Sequence, residues 1–507
     1  QKRYQEAAKL YKQRRFAEAL EIINRILESY PKEQAILAVR TKILSEIEEP
    51  KADLSILAGQ TSRKKGSGNS YLRWFLGLAG VFLVASVIVP LLFHFGLSIS
   101  AQESSQTMPP SHDQIARRDD TTQAPEAHPG STLVPAKAGK LVAGRIGIKK
   151  GQFVDLKTSQ KFTPTGANYI RVRPPVPGSV DHATFDSQYY DAANVGCMLQ
   201  DLETHGFNTI RVFVESCTPA ASLCESTQAT ELSPTYMNNV CDLLHQANDH
   251  NIHVIIAFDM WGPSCAWLQR GTRTVPMVSG PNSMWFSAGA AETRAAMLSE
   301  FVAAIKARNV ALLDIVLAYE IQNELFFSTS SEPLSLCKGI FHYNDKHYDL
   351  SSENDAQLLM DDVAIYWCNT SVEAVQSVDP AALVSVSVFT FNAVGRSGPG
   401  HLRTNVTGDD RIPARPLALA KSLLSYVDIH LYPFPRNPIQ FDLESIEFDR
   451  VALQCRLSEK PLLMGEFGAF KDGFPDLSVA APAMVQHLRL ALEKGFQGGL
   501  YWTYDSL

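Results

Sequence analysis

Two acidic residues each end an apolar run of the kind a buried strand uses. The stretch DIVLAYEIQNEL (residues 314–325) begins with β-branched apolar residues and finishes on Asn323 and Glu324, and PLLMGEFGAF (461–470) carries Glu466 directly after a glycine. Burying a carboxylate costs several kcal/mol unless it is paired or used, so both strand ends are places to look for chemistry. The two glutamates lie 142 positions apart (466 minus 324), too far for any local structure to join them. Held about 5 Å apart by a fold, they could act as general acid/base and nucleophile in the cleavage of a glycosidic bond with retained configuration.

The elements that would position them form a regular series. Apolar, strand-like runs fall at 166–173, 207–214, 251–260, 314–324, 383–390, 426–434, 461–470 and 498–506. Amphipathic stretches such as DAANVGCMLQDLETHG and AMVQHLRLALEKG lie between them. Strand and helix alternating eight times, with strands apolar on both faces, predict an α/β fold, a (β/α)8 TIM barrel. Its eighth helix is expected beyond Leu507, and the chain reads as a fragment at both ends. A doubly wound sheet would need a glycine-rich phosphate turn after the first strand, where IRVRPPVPG offers prolines.

In such a barrel the side chains at the C-terminal strand ends converge on one pocket. Those ends supply Arg211 on the second strand, Asn323 and Glu324 on the fourth, His430 and Tyr432 on the sixth, Glu466 on the seventh and Trp502 on the eighth. Asn323 suits a sugar hydroxyl, Arg211 can keep Glu466 ionised, and His430 and Tyr432, two residues apart on one side of their strand, can orient the acidic pair. Glu320 lies four residues deeper and reads as a support for Arg211 or the barrel floor. His253, early in the third strand, reads as a core histidine. Trp261, Trp285, Phe326 and Phe327 fall in loops over the pocket, either as sugar-stacking walls or as packing for the loops themselves.

The motifs GFNTIRVF, IQNE, DIHLYPF, GEFG and YWTYD, in this order at these strand ends, resemble glycoside hydrolase clan A, most nearly family five, the cellulase and mannanase family. The resemblance covers residues 141–507. It implies Glu324 as acid/base, Glu466 as nucleophile, Asn323 on the sugar 2-hydroxyl, Arg211 supporting the nucleophile, His430 and Tyr432 lining the centre, and Trp502 as the stacking floor. Many members end the third strand with a histidine. Here AFDMWG puts Asp259 or Trp261 at that wall, and both are candidate substrate contacts.

The rest of the chain suggests a tethered enzyme. With 507 residues, 45% of them apolar, it can hold more than one domain. Residues 1–70 carry 14 Lys/Arg against 9 Asp/Glu, so a net charge of −7 leaves about −12 on the remainder, which argues against nucleic acid as a partner. Residues 1–50 resemble a tetratricopeptide-like helical segment able to dock a cytoplasmic protein. Residues 51–71 form a basic linker. Residues 72–97 contain the uncharged run Trp74–Phe93, long enough to span a bilayer once. The basic side of that run faces the cytoplasm, which sets the catalytic domain outside, periplasmic or extracellular. Residues 98–140 are a Ser/Pro/Thr-rich tether. All eight cysteines lie beyond the span, as expected of disulfides in an oxidising compartment, with Cys217–Cys224 and Cys265–Cys337 as possible pairs. No metal and no cofactor are implied. The partner expected is a β-linked polysaccharide or oligosaccharide of β-mannan or β-glucan type. The alternatives that remain open are a membrane-tethered glycan-binding or assembly component, or a transglycosylase of polysaccharide biosynthesis.

Overall fold

The eight strand-like runs close into one parallel barrel. The computed structural model describes residues 144–171, 182–215, 223–226, 228–260, 266–405, 407–433, 440–471 and 473–506, together with 20, 22 and 23. The chain divides into two units, Gln1–Ala127 and His128–Leu507. In the first, the described residues Leu20, Ile22 and Ile23 are helical. The rest of the tetratricopeptide-like segment, the basic linker, the apolar run and the tether lie outside the described residues. Among the described residues no helix is long and apolar enough to cross a membrane.

The barrel strands are β1 Thr165–Arg171, β2 Thr209–Glu215, β3 His253–Asp259 and β4 Val316–Glu320, then β5 in two pieces, Val384–Ser385 and Ser387–Phe389. They continue as β6 Val427–His430, β7 Leu462–Phe467 and β8 Phe496–Ser506. Each pairs in parallel with the next, and β8 returns to β1. The first piece of β5 pairs with β4 and the second with β6. Only Val386 separates the pieces, so the sheet closes on itself. The crossover helices are α1 Ala192–Thr204, α2 Pro234–Asp249, α3 Ala288–Arg308, α4 Glu353–Val378, α5 Pro416–Lys421, α6 Ile446–Leu457 and α7 Leu477–Glu493. Among the described residues no helix follows β8. Caps fix where several helices start: Asp191, Ser233, Ser352, Ser445 and Asp476 each accept a hydrogen bond from a backbone N–H three residues on.

Alternation along the strands sorts the side chains. Ile210, Val212 and Val214 of β2 pack outward with the helices, while Arg211 and Phe213 point inward. Inside, an apolar layer of Ile255, Ala318, Tyr426, Leu463 and Leu500 sits at the base. A hairpin, Ile146–Lys149 with Gln152–Asp155, closes that base and adds Ile146 and Phe153, the latter edge-on to Tyr426 at 5.3 Å. His253 is a core residue, as expected. Burial lowers its pKa to about 4, so the ring is neutral.

Several expectations are corrected. The fourth strand stops at Glu320, four residues short of Glu324, and Asp314 belongs to a 3-10 turn before it. Trp285 and Phe327 are buried packing residues: Trp285 meets Trp367 edge-on at 5.1 Å, and Phe327 meets Phe286 at 5.5 Å. Of the two readings left open for them, packing is the one present. Cys337 is free, which removes the Cys265–Cys337 pairing, and Cys197, Cys241, Cys368 and Cys455 are free as well. Cys241, Cys368 and Cys455 are buried on separate helices as small apolar side chains, and burial pushes the Cys241 thiol up to about 11. Cys224 is disulfide-bonded.

Candidate active site

Arg211 is the hub of the barrel mouth. Its guanidinium is wholly buried and uses all five of its donors. Nε donates to Glu320 Oε2 at 2.8 Å, Nη1 to Asn168 Oδ1 at 2.8 Å and to Glu466 Oε1 at 2.7 Å, and Nη2 to Glu320 Oε1 at 2.6 Å and to Asn323 Oδ1 at 2.7 Å. The Phe213 ring lies 4.7 Å from the guanidinium carbon. Burial alone would lower the arginine's pKa, but the Glu320 and Glu466 carboxylates hold it well above its ordinary value. Residues from β1, β2, β4 and β7 are thus tied to one cation, and the sheet register makes this possible by setting Asn168 beside Arg211.

Glu324 reaches the site from an irregular segment after β4. Its φ is 46°, in the left-handed region that non-glycine residues avoid, and strain of this kind costs about 1–3 kcal/mol where the surroundings impose it. The surroundings do so here. The Glu324 N–H donates to Ser387 Oγ at 2.8 Å, Asn323 N–H to Phe258 carbonyl at 2.8 Å, and Leu325 N–H to Ser387 carbonyl at 2.9 Å. The neighbouring strands β3 and β5 hold this turn in place and aim its carboxyl inward.

The two glutamates meet over His430. Its Nδ1 lies 2.9 Å from Glu324 Oε1 and 3.4 Å from Glu466 Oε2. One oxygen of each carboxyl and one ring nitrogen all fall within 4.8 Å of one another. Tyr432 donates its hydroxyl to Glu466 Oε2 at 2.7 Å. Burial lowers the His430 pKa to about 4, leaving a neutral ring. Burial raises the Glu324 carboxyl to about 7, against the pull of Arg211 and Arg411, and Glu320 adds a smaller push upward. Desolvation is thus the main cause. Burial also raises Glu466, opposed by His430 and Arg211. Glu466 alone touches the guanidinium, so of the two carboxyls it is the one fitted to carry the charge, and Glu324 the proton.

Glu324, His430 and Glu466 have the donor types of a metal site. Both Glu466 oxygens are already engaged, however, one of them by a cation at 2.7 Å. The Glu466 oxygen nearest His430 is Oε2, the one that already accepts from Tyr432.

The remaining expected residues are placed as follows. Asp259 ends β3, where its Oδ1 accepts from Asn323 Nδ2 at 3.4 Å and its Oδ2 lies 3.7 Å from His182 Nε2. Trp261 lies outside the described residues. Trp502 is half-buried and meets Phe213 at 5.7 Å and His182 at 6.0 Å, both edge-on. Phe326 lies 6.2 Å from Phe389, and Arg411 sits over both rings, 5.1 Å from Phe389 and 5.9 Å from Phe326.

Several residues at the site were not foreseen. Asp428 is fully buried, burial and the Glu320 charge push its pKa well above the ordinary carboxylate value, and it accepts from Gly465 N–H at 2.7 Å. It stands two residues before His430, on the same strand face, and that spacing was the available signal. Asn168 is a lone amide inside the apolar run GANYIRVR. Ser387 opens the second piece of β5, just after the break. Arg411, on a short strand Arg411–Pro413 outside the barrel, and the exposed Phe470, which stacks on Tyr432 at 4.7 Å, lie outside the regular strand–helix series and have no periodic signal.

The family model described as Cellulase (glycosyl hydrolase family 5) matches residues 175–506, more than half of the chain. Among solved structures, an exo-β-1,4-mannosidase from Opitutaceae bacterium strain TAV5 is similar with 17% identity and a TM-score of 0.45, over 71% of this chain and 55% of that one. The chain thus spans little more than half the length of that mannosidase. An endo-β-1,4-mannanase from Thermotoga petrophila aligns at 13% identity and a TM-score of 0.46, covering 68% and 69% of the two chains. A β-mannanase from the blue mussel Mytilus edulis aligns at 18% identity and a TM-score of 0.41, covering 71% and 92%. Comparison with curated proteins found no match.

Proposed function

The chain belongs to glycosyl hydrolase family 5 and is a glycosidase, and we propose from that premise that it hydrolyses a β-linked glycan of β-mannan or β-glucan type by double displacement. The observation that carries this reading is the carboxyl separation, within 4.8 Å at the nearest oxygens. Retaining enzymes set the pair about 5–5.5 Å apart, and inverting enzymes leave roughly 6.5–9.5 Å for a water. In the first step Glu466 attacks the anomeric carbon while Glu324 gives its proton to the departing glycosidic oxygen. In the second, Glu324 takes a proton from water, which opens the glycosyl ester and frees Glu466. Arg211 and Tyr432 hold the nucleophile's two oxygens, so its orientation is set before substrate arrives. Asn323 serves the sugar 2-hydroxyl, Trp502 the stacking floor of the cleaved sugar's subsite, and Asp259 or Trp261 its wall.

The glycosidase domain is proposed to stand outside the cytoplasmic membrane on a single span, with the N-terminus cytoplasmic and the helical segment free to dock a protein there. The uncharged run Trp74–Phe93 and the basic residues Arg63, Lys64, Lys65 and Arg73 before it support this. Turnover of an aryl β-glycoside by Glu324→Gln and Glu466→Gln variants tests the chemistry. Each should lose about a thousandfold or more, with wild-type circular dichroism. Near-full activity in either would end the assignment. Product analysis on β-mannan, β-glucan and xylan tests the substrate class.

A further inference from the structure

A hairpin in the connection between β4 and α4 carries two histidines that the glycosidase site does not use. Its strands, Ile340–Tyr343 and Lys346–Asp349, pair antiparallel, with Tyr343 opposite Lys346 and His342 opposite His347. The two linking residues, Asn344 and Asp345, have φ of 46° and 61°, which marks a two-residue type I′ turn. The pair that closes such a turn exchanges both backbone hydrogen bonds. The next pair, His342 and His347, then occupies the non-hydrogen-bonded position, where opposing side chains come closest.

The side chains bear this out. The imidazole centroids are 4.4 Å apart, with planes inclined by 70°, and both rings are exposed. The other face of the hairpin is anchored: Tyr343 and Tyr348 are buried, Tyr348 donates to Asp362, and Lys346 Nζ lies 2.9 Å from the same carboxylate. The two rings therefore stand side by side on a held scaffold.

We propose that His342 and His347 form a bidentate site for a divalent ion of the copper, nickel or zinc class. Neutral imidazole is a ligand these ions favour. Nitrogens about 2.0–2.1 Å from one ion in a cis arrangement put ring centroids roughly 4.5–5 Å apart, a few tenths of an ångström beyond the spacing present. Two protein ligands leave the remaining positions to water, so the site is open and exchangeable. It lies in a loop that follows a barrel strand, on the same end of the barrel as Glu324.

Isothermal titration of the untagged full chain with copper(II) and nickel(II) chlorides tests this, with electron paramagnetic resonance of the copper form. The expected result is one equivalent of metal with two nitrogen couplings. His342→Ala and His347→Ala should each weaken binding about a hundredfold, the advantage of a chelate over a single ligand. Both variants should keep wild-type melting and wild-type glycosidase activity. These variants also separate the hairpin from the Glu324, His430 and Glu466 cluster, which they leave intact. Binding as tight in both variants as in the wild type, or no wild-type binding at about 1 mM ion, would overturn the proposal and leave the pair as an edge-on ring contact.

Discussion

Replacing Glu324 by glutamine should abolish turnover and yet stabilise the fold, by an amount that depends on pH. Burial raises this carboxyl from an ordinary 4.5 to about 7, a gap worth roughly 3 kcal/mol against the ionised form in the folded protein. Below pH 4.5 the group is protonated in both folded and unfolded chains, so it costs nothing. As pH rises, the unfolded chain ionises first and draws the equilibrium toward unfolding. The penalty is complete above about pH 7. Glutamine keeps the shape and an acceptor for His430 but cannot ionise. The Glu324 side chain is 23% exposed, so water relieves part of the penalty, and the expected gain is about 2–3 kcal/mol at pH 8 and near zero at pH 4. Urea unfolding followed by tryptophan fluorescence at about pH 4, 6 and 8 measures it. No gain at the highest pH, or the same gain at the lowest, would refute burial as the cause. The same carboxyl must be protonated for the first chemical step, so wild-type kcat/KM should fall above about pH 7.

Tyr432→Phe removes the 2.7 Å hydrogen bond to Glu466 Oε2. A bond to a charged group contributes about 1.5–3 kcal/mol to stability, so the melting temperature should fall by a corresponding amount, and kcat/KM should fall as well because Glu466 loses one of the two contacts that orient it. Gly465→Ala would drive a methyl group into the buried Asp428 carboxyl, and the melting temperature should report a loss of about 2–4 kcal/mol. Arg211→Lys leaves at most three donors for five acceptors and strands part of Glu320 in the barrel. Denaturation should show a loss of about 3–5 kcal/mol, together with a severe drop in kcat.

Much of the barrel was legible because its strands are buried on both faces and read as unbroken apolar runs. That signal located all eight strands, though not their ends. The fourth run continues through Asn323 and Glu324, yet the strand stops at Glu320, because the pull of β3 and β5 on the backbone after it is a tertiary effect. Strand-end polar residues marked Arg211, His430, Tyr432 and the two glutamates as candidates, and the structure brings them together. Asn168, Asp428 and Ser387 escaped notice because each is one small polar residue in an apolar strand, given meaning only by the neighbour that the closed sheet places beside it. Trp285 and Phe327 stayed open between cleft and packing for the opposite reason: loop aromatics look alike in sequence whether they face a cleft or a core. The eight cysteines suggested a paired set, but nothing in their spacing separates a disulfide partner from a small apolar side chain such as Cys368, wholly buried on α4.

Glu324 and Glu466 stand at the separation of a retaining pair, and the configuration of the first sugar released reads this directly. Proton NMR of an aryl β-glycoside or a β-linked oligosaccharide during the first minutes of cleavage should show the β-anomer appearing first, with the α-anomer growing in only as the sugar mutarotates. An α-anomer formed first would mean direct attack by water and would contradict a covalent role for Glu466.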